Sequence, residues 1–507
     1  MLEMKSIRLK TDSGEFPMTF AHNGYQWEDV TVRLQDGKIF VTGGATPVLT
    51  IELIFSNPYF RDAMVLGDAF ERGYGEFIWQ RPDFSRFLPW YFLASENGCN
   101  YGFGVKTQPN AVCFWRCDAE RIALTLDIRN GCNGLVLAGR CLEACEVVTM
   151  TMEGDAFDAL TAFCHRMCDN PRLAGRPIYG GNDWYCNYGD SSAEKILRHT
   201  RRVVECAPGG APAPYMVVDA GWQLCAQSTE PCIGPWNSGN SLFGDMGKLA
   251  RQIRELGAIP GIWIRPLLTL EKVPQDWALK RNGTGAYLDP SHPAVLDKVR
   301  EDISRLREWG YGLIKHDFTT VDIFGAWGFQ MKDGYGADVE FTDKTLTTAQ
   351  IVKNLYRAIR EAAGEDVVII GCNTIGHLCA GIFEIQRTGD DTSGVDWERV
   401  KTYGVNTLAF RSAQHNAFYA ADADCVGITR QLNWDDDRKW LDVLAKSGTP
   451  LFVSIGDDAY TPQIRQDITE AFRKTVSNEK ISRPLDWMQT KVPQMWESAF
   501  GVDRYAW

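Results

Sequence analysis

The 507-residue chain carries 53 Lys and Arg against 65 Asp and Glu, for a formal net charge of −12, with 45% hydrophobic and 23% charged residues. This is the composition of a globular protein, long enough for two to four domains at roughly 150 residues each; it excludes a disordered chain and lacks the basic stripe of a nucleic-acid binder. No apolar run of about 18 residues predicts a membrane span, and Met1-Leu2-Glu3-Met4-Lys5-Ser6 lacks the apolar core of a secretory signal.

The 15 cysteines are an odd number scattered along the chain, so reduced thiols and a cytoplasmic location are expected. Cys113/Cys117, Cys141/Cys145 and Cys164/Cys168 share a C-x3-C spacing. Zinc knuckles use tighter pairs in loops, and buried cysteines usually serve as small apolar side chains, so no metal site is assigned.

Residues 1–150 read as β. The runs 38–42, 48–55, 111–117, 121–128 and 134–138 are rich in β-branched and aromatic residues, with Asp36-Gly37 and Asn130-Gly131 as turn signals. Many short strands between turns predict a β-sandwich. A helix is expected over 155–167, followed by an irregular stretch over 170–177. From Ile178 strands and helices alternate. Strand 215–218 precedes helix 246–256, strand 259–264 precedes helix 293–309, and strand 312–315 precedes helix 347–363. In the second of these helices Val295, Val299, Ile303 and Leu306 recur at helical spacing. Further strands are expected at 367–371, 382–386, 406–410 and 417–420. Such alternation makes parallel βαβ units, and about eight strands predict an α/β fold of the (β/α)8 TIM-barrel type. No G-x-G-x-x-G follows a strand to support a doubly wound sheet. Helices at 438–446 and 464–476 flank a strand at 451–453. The expected organisation is an N-terminal β-sandwich-like domain with linker over 1–175, a barrel over 176–460 and a helical tail over 461–507 that packs on the barrel.

Barrel enzymes place their reactive groups at the C-terminal ends of the strands. Those ends read Asn182-Asp183-Trp184, Asp219-Ala220-Gly221-Trp222, Trp263-Ile264-Arg265, Lys315-His316-Asp317, Cys372-Asn373 and Arg387-Thr388-Gly389-Asp390-Asp391. Carboxylates beside tryptophans on that face suit a glycosidase, in which two carboxyls flank the glycosidic bond and aromatic rings stack on the sugar. Single Asp residues after strands also cap helices. Lys315 and Asp317, however, are alternate residues of one strand and share a face, so the lysine is expected to keep Asp317 ionised. Arg387, four before Asp391, suits a sugar hydroxyl or a nearby carboxyl. Arg265 either pairs with an acid such as Asp219 or meets an anionic glycone.

At these residues the sequence resembles retaining α-galactosidases of the melibiase type, glycoside hydrolase families 36 and 27, which share a clan with family 31. The resemblance covers 178–455. Tyr179-Gly180-Gly181-Asn182-Asp183-Trp184-Tyr185 is similar to the first-strand motif, and Val217-Val218-Asp219-Ala220-Gly221-Trp222-Gln223 to the Asp-Asp-Gly-Trp segment. Tyr287-Leu288-Asp289-Pro290 resembles the approach to the nucleophile strand. Lys315-His316-Asp317 resembles the Lys-x-Asp motif and Arg387-x-x-x-Asp391 the acid/base motif. The resemblance implies Asp317 as nucleophile and Asp391, rather than Asp390, as acid/base. Asp183, Trp184, Asp219, Trp222, Trp263, Arg265, Lys315, Cys372, Asn373 and Arg387 are the substrate-binding candidates. It further implies exo-acting, retaining hydrolysis of a terminal α-linked galactose or modified galactose from a small oligosaccharide or glycoside, without metal or organic cofactor. No nucleic-acid or membrane partner is expected, and a homo-oligomer is compatible with the sequence. Ala220 replaces the family's second Asp, which with its neighbour binds the galactose hydroxyls at positions four and six. An N-acetylated, amino or acidic glycone, or a non-catalytic carbohydrate-binding barrel, is therefore the alternative. Asp422-Ala423-Asp424 also matches the short D-x-D string of metal-dependent glycosyltransferases.

Overall fold

The computed structural model describes residues 3–225, 232–279, 285–331 and 339–507. Its N-terminal third is a large antiparallel sheet of 14 strands. The strand Met4–Thr11 shows why: Ile7 and Leu9 are buried while Arg8 and Lys10 point away, the period of two that covers one face only. Pro47–Ser56 pairs with Met4–Thr11 on one side and Arg121–Asp127 on the other. The helix Ala156–Met167 follows, its first turn capped by the Asp155 carboxylate, which accepts from the N–H groups of Phe157 and Asp158.

Beyond the irregular stretch 170–177 lies a curled parallel sheet of nine strands. In chain order these are Tyr179–Asn182, Tyr215–Val218, Ile259–Ile264, Leu313–His316, Val368–Gly371, Ile385–Arg387, Ala420–Asp422, Cys425–Ile428 and Leu451–Ile455. Ala420–Asp422 pairs with Ile385–Arg387, whereas Cys425–Ile428 pairs with Leu451–Ile455, which pairs in turn with Tyr179–Asn182. The two ends of the sheet are therefore halves of one segment, hinged at Ala423-Asp424, where Asp424 takes the left-handed φ of 79°. Asp tolerates that conformation better than most side chains.

The helices between the strands present apolar stripes to the sheet. Thr348–Ala363 opens on a capping box: Gln350 N–H donates to Thr347 Oγ1 at 3.1 Å, and Thr347 N–H donates to Gln350 Oε1 at 3.0 Å. Two expectations are corrected. The run 406–410, read as a strand, lies in the helix Asn406–Arg411, which continues a helical segment from Trp397. All six of its residues are buried, so it shows no amphipathic period to separate helix from strand. The tail is helical only over Pro462–Ser477, which packs on the helices Ala193–Cys206 and Trp434–Lys446. The following Arg483–Pro484, Met495–Ser498 and Gly501–Arg504 form a three-stranded antiparallel sheet. Among the described residues no helix is long and apolar enough to cross a membrane.

Candidate active site

The expected site residues gather at the C-terminal ends of the curled sheet. Below them, Asp219 takes Asn182 Nδ2 and Lys315 Nζ on one carboxylate oxygen, both at 2.7 Å, and its other oxygen accepts from the N–H of Ala220. Burial alone would lower the Lys315 pKa, but the Asp219 charge outweighs it and holds the ammonium well above its ordinary value. The direct partner of Lys315 is thus Asp219, not Asp317 as the shared face suggested. Asp183 is buried and held by Ser191 Oγ at 2.5 Å and by the Asp219 N–H at 2.8 Å. Burial pushes its carboxyl up to about 6 against those bonds.

Asp317 follows the strand Leu313–His316. Its Oδ2 accepts from Trp263 Nε1 at 3.2 Å, and its Oδ1 accepts from the N–H of Phe318 at 2.7 Å. Phe318 adopts a left-handed φ of 62°, a strained setting for a bulky residue. Trp263 is buried and serves Asp317 through its N–H. Trp222 is also buried, packs on Trp236 and Trp309, and donates to the Trp263 carbonyl at 2.8 Å. It is a core residue, which corrects its expected stacking role. Trp184 alone of the three remains partly exposed, beside Tyr188. Arg265 grips Asp322 through two nitrogens, with its shortest contact at 2.6 Å, and lies over the Phe318 ring. Its partner is therefore neither Asp219 nor an open anion site.

Asp391 keeps 38% of its side chain exposed and lies 3.3 Å from Arg387 Nη2 and 3.6 Å from Arg72 Nη1. Burial would raise its carboxyl, but Arg387, Arg72, Lys315 and Arg399 outweigh that and hold it below the ordinary value. This reverses the raised pKa that a resting general acid calls for. Arg387 is buried, with Asp424 Oδ1 at 2.6 Å and Tyr185 Oη at 3.0 Å, and Tyr185 in turn donates to Asp424. The carboxylates of Asp422 and Asp424 face this guanidinium, so the D-x-D string serves an arginine clamp. Among the described residues no group of three or more His, Cys, Asp and Glu side chains could hold a metal ion. Cys372 is buried between Arg72 and Arg387, with its sulfur 3.9 and 3.7 Å from them. Asn373 is fully buried and donates to Glu71.

Sequence reasoning missed Glu71 and Arg72. They lie on a loop of the N-terminal region that enters the mouth of the curled sheet. Gly73 N–H donates to the Thr388 carbonyl, and Asp390 N–H donates to the Gly73 carbonyl, both at 2.8 Å. A Cβ on Gly73 would run into the Phe77 ring, and one on Gly389 into the Tyr403 carbonyl, so both positions need glycine for this approach. Arg72 meets Asp390 at 2.7 Å. Glu71 Oε2 accepts from Gly328 N–H at 2.7 Å and from Tyr74 Oη at 2.8 Å, and burial pushes its carboxyl up to about 7. Charged residues in the glycine-punctuated run Gly67–Gly75 were the available signal, but such runs are also ordinary turns.

No family model matches the chain. Among solved structures it is similar to TtGalA, an α-galactosidase from Thermus thermophilus in complex with p-nitrophenyl α-D-galactopyranoside. The TM-score is 0.63 at 16% identity, covering 99% of each chain. AgaA, a GH36 α-galactosidase from Geobacillus stearothermophilus, matches with a TM-score of 0.62 at 15% identity, over 94% of this chain and 73% of that one. The galactosidase domain of the α-galactosidase–sucrose kinase AgaSK matches with a TM-score of 0.62 at 15% identity, over 97% and 78%. Along nearly its full length, the chain thus has the fold of GH36 α-galactosidases.

Proposed function

We propose that the chain is a retaining, exo-acting α-glycoside hydrolase of the α-galactosidase type. The curled sheet is read as a (β/α)8 barrel, which its meeting ends support, and the antiparallel region as the preceding β-sandwich. The observation that carries the reading is the placement of Asp317 and Asp391 after the fourth and sixth strands, bridged by Cys372, whose N–H donates to the His316 carbonyl at 2.9 Å and whose sulfur lies 3.7 Å from Arg387, the partner of Asp391. Lys315 precedes Asp317 by two residues on the fourth strand, and its charge is among those that hold the Asp391 carboxyl low. Asp317, fixed by Trp263 and Phe318, attacks the anomeric carbon as the bond to the leaving oxygen breaks. That oxygen takes the Asp391 proton. Asp391, now ionised, draws a proton from water, and the resulting hydroxide displaces Asp317 from the glycosyl ester. The cations around Asp391 favour this second step and burden the first, so the first step prefers acid conditions.

Arg265 is engaged by Asp322 and lends no support to an acidic glycone; Ala220 removes one acceptor from the sugar side. The substrate class is accordingly a neutral terminal α-galactoside or a close variant. A reducing, cytoplasmic location is part of the proposal, on the odd number and scatter of the 15 cysteines. The test is release of p-nitrophenol from aryl α-glycosides: galactoside, N-acetylgalactosaminide, galactosaminide, glucoside and galacturonide. Turnover of one of them, reduced at least ~1000-fold in Asp317→Ala, is expected. A folded protein that turns over none of them refutes the assignment.

A further inference from the structure

The rings beside Asp317 form a series that leads out of the site. Trp263, whose N–H reaches Asp317, meets Phe318 edge-on at 6.2 Å, and Phe318 meets Trp327 at 5.9 Å. Trp327 meets Tyr74 at 6.5 Å, and Tyr74 meets Phe329 at 4.8 Å. Exposure rises along the same path. Trp263 is buried, Phe318, Trp327 and Tyr74 are half-buried, and Phe329 is 53% exposed. Arg72, which holds Asp390 and adjoins Asp391, places its guanidinium 5.5 Å from the Trp327 ring and 5.6 Å from the Tyr74 ring. The series therefore starts at one expected catalytic carboxylate, passes the cation that adjoins the other, and ends in solvent.

Two polar groups along the path are engaged. The Tyr74 hydroxyl donates to Glu71, and the Gln330 side-chain oxygen accepts from the Trp327 backbone N–H at 2.9 Å. Among the described residues, Phe329 exposes ring surface at the end of the path, which favours an apolar cover. On the strength of the glycosidase reading, we propose that these rings are the leaving-group platform and take a flat aryl aglycone in preference to a second sugar. An aryl ring stacks on Trp327 and Phe329 and releases water from both faces. A sugar in the same place brings hydroxyls that need partners, and the Tyr74 hydroxyl and the Arg72 guanidinium beside these rings are already bonded to carboxylates.

The test compares ligands in Asp317→Ala by calorimetry. The ligands are p-nitrophenyl α-D-galactopyranoside, an α-galactosyl-glucose disaccharide of similar size, and p-nitrophenol alone. The aryl galactoside is expected to bind about tenfold tighter than the disaccharide. Phe329→Ala or Trp327→Leu, added to that background, closes the gap without weakening the disaccharide. Equal affinities, or a gap that survives both substitutions, overturns the proposal. If neither galactoside binds but p-nitrophenol does, with that binding lost in Phe329→Ala, the rings bind an aryl group, but the glycosidase reading falls and the leaving-group role with it. If none of the three binds, both fall.

Discussion

Glu71 offers a sharp physical test of how the N-terminal loop is seated. Its side chain is fully buried, and its neighbours are Asn373 Nδ2, Gly328 N–H, the Tyr74 hydroxyl and Arg72 Nε at 3.4 Å. Burial raises its carboxyl from an ordinary 4.5 to about 7. Below about pH 4.5 the acid is neutral in both folded and unfolded chains. Between 4.5 and 7 only the folded chain keeps the proton, so stability falls as pH rises through that window. At ~1.36 kcal/mol per unit, the whole shift amounts to roughly 3 kcal/mol, most of which is lost between pH 5 and pH 8. Glu71→Gln removes this proton linkage. Its amide meets a neighbourhood of donors, so it costs roughly 1–3 kcal/mol at acid pH. The expected result in urea unfolding is a variant less stable than the wild type at pH 5 that catches up or overtakes it by pH 8. Parallel pH profiles for the two proteins would mean that Glu71 stays ionised beside Arg72, and the burial argument would fail.

The cluster around Asp391 makes a second, kinetic prediction. A general acid must carry its proton, so kcat/KM should decline as pH rises through the Asp391 pKa, which the four cations hold low; Arg72→Gln should move that limb to higher pH. An unmoved limb in a folded variant would detach Arg72 from Asp391. Trp263→Phe deletes the N–H on Asp317 and should cost about tenfold in kcat/KM, the worth of one hydrogen bond to a charge; unchanged kinetics would contradict that contact. Tyr185→Phe removes the hydroxyl between Arg387 and Asp424 and should lower unfolding stability by about 1–3 kcal/mol, read by urea denaturation. No loss there would show the clamp to be indifferent to that hydroxyl.

The βα half of the chain was legible because its signals are periodic. The strand Ile259–Ile264 and the start of the helix Pro293–Glu308 lie where an apolar run and a 3.6-residue stripe place them. Asn406–Arg411 was misread because burial on every side erases the stripe. The first N-terminal strands fall inside the stretch 1–150 that reads as β but have no bounds legible in the sequence, since Arg8, Lys10 and Glu15 dilute their apolar content. The strand-end rule brought Asp219, Lys315, Asp317, Arg387 and Asp391 into one neighbourhood. It could not say which partner each would take. Lys315 turned to Asp219, Arg265 to Asp322, and Trp222 into the core, choices set by rotamers and by side chains far away in sequence. Glu71 and Arg72 were out of reach for a related reason: their neighbours Asn373, Asp390 and Asp391 lie some three hundred residues later, and nothing local marks the meeting.

In the proposed reaction a carboxylate oxygen of Asp317 takes the sugar. The direct measurement is incubation with a fluorinated α-galactosyl donor that forms its ester quickly and loses it slowly, followed by intact mass and peptide mapping. One added glycosyl unit, located on the peptide that carries Lys315-His316-Asp317 and absent from Asp317→Ala, is the predicted result. Turnover with no covalent adduct, or an adduct on another residue, would contradict it.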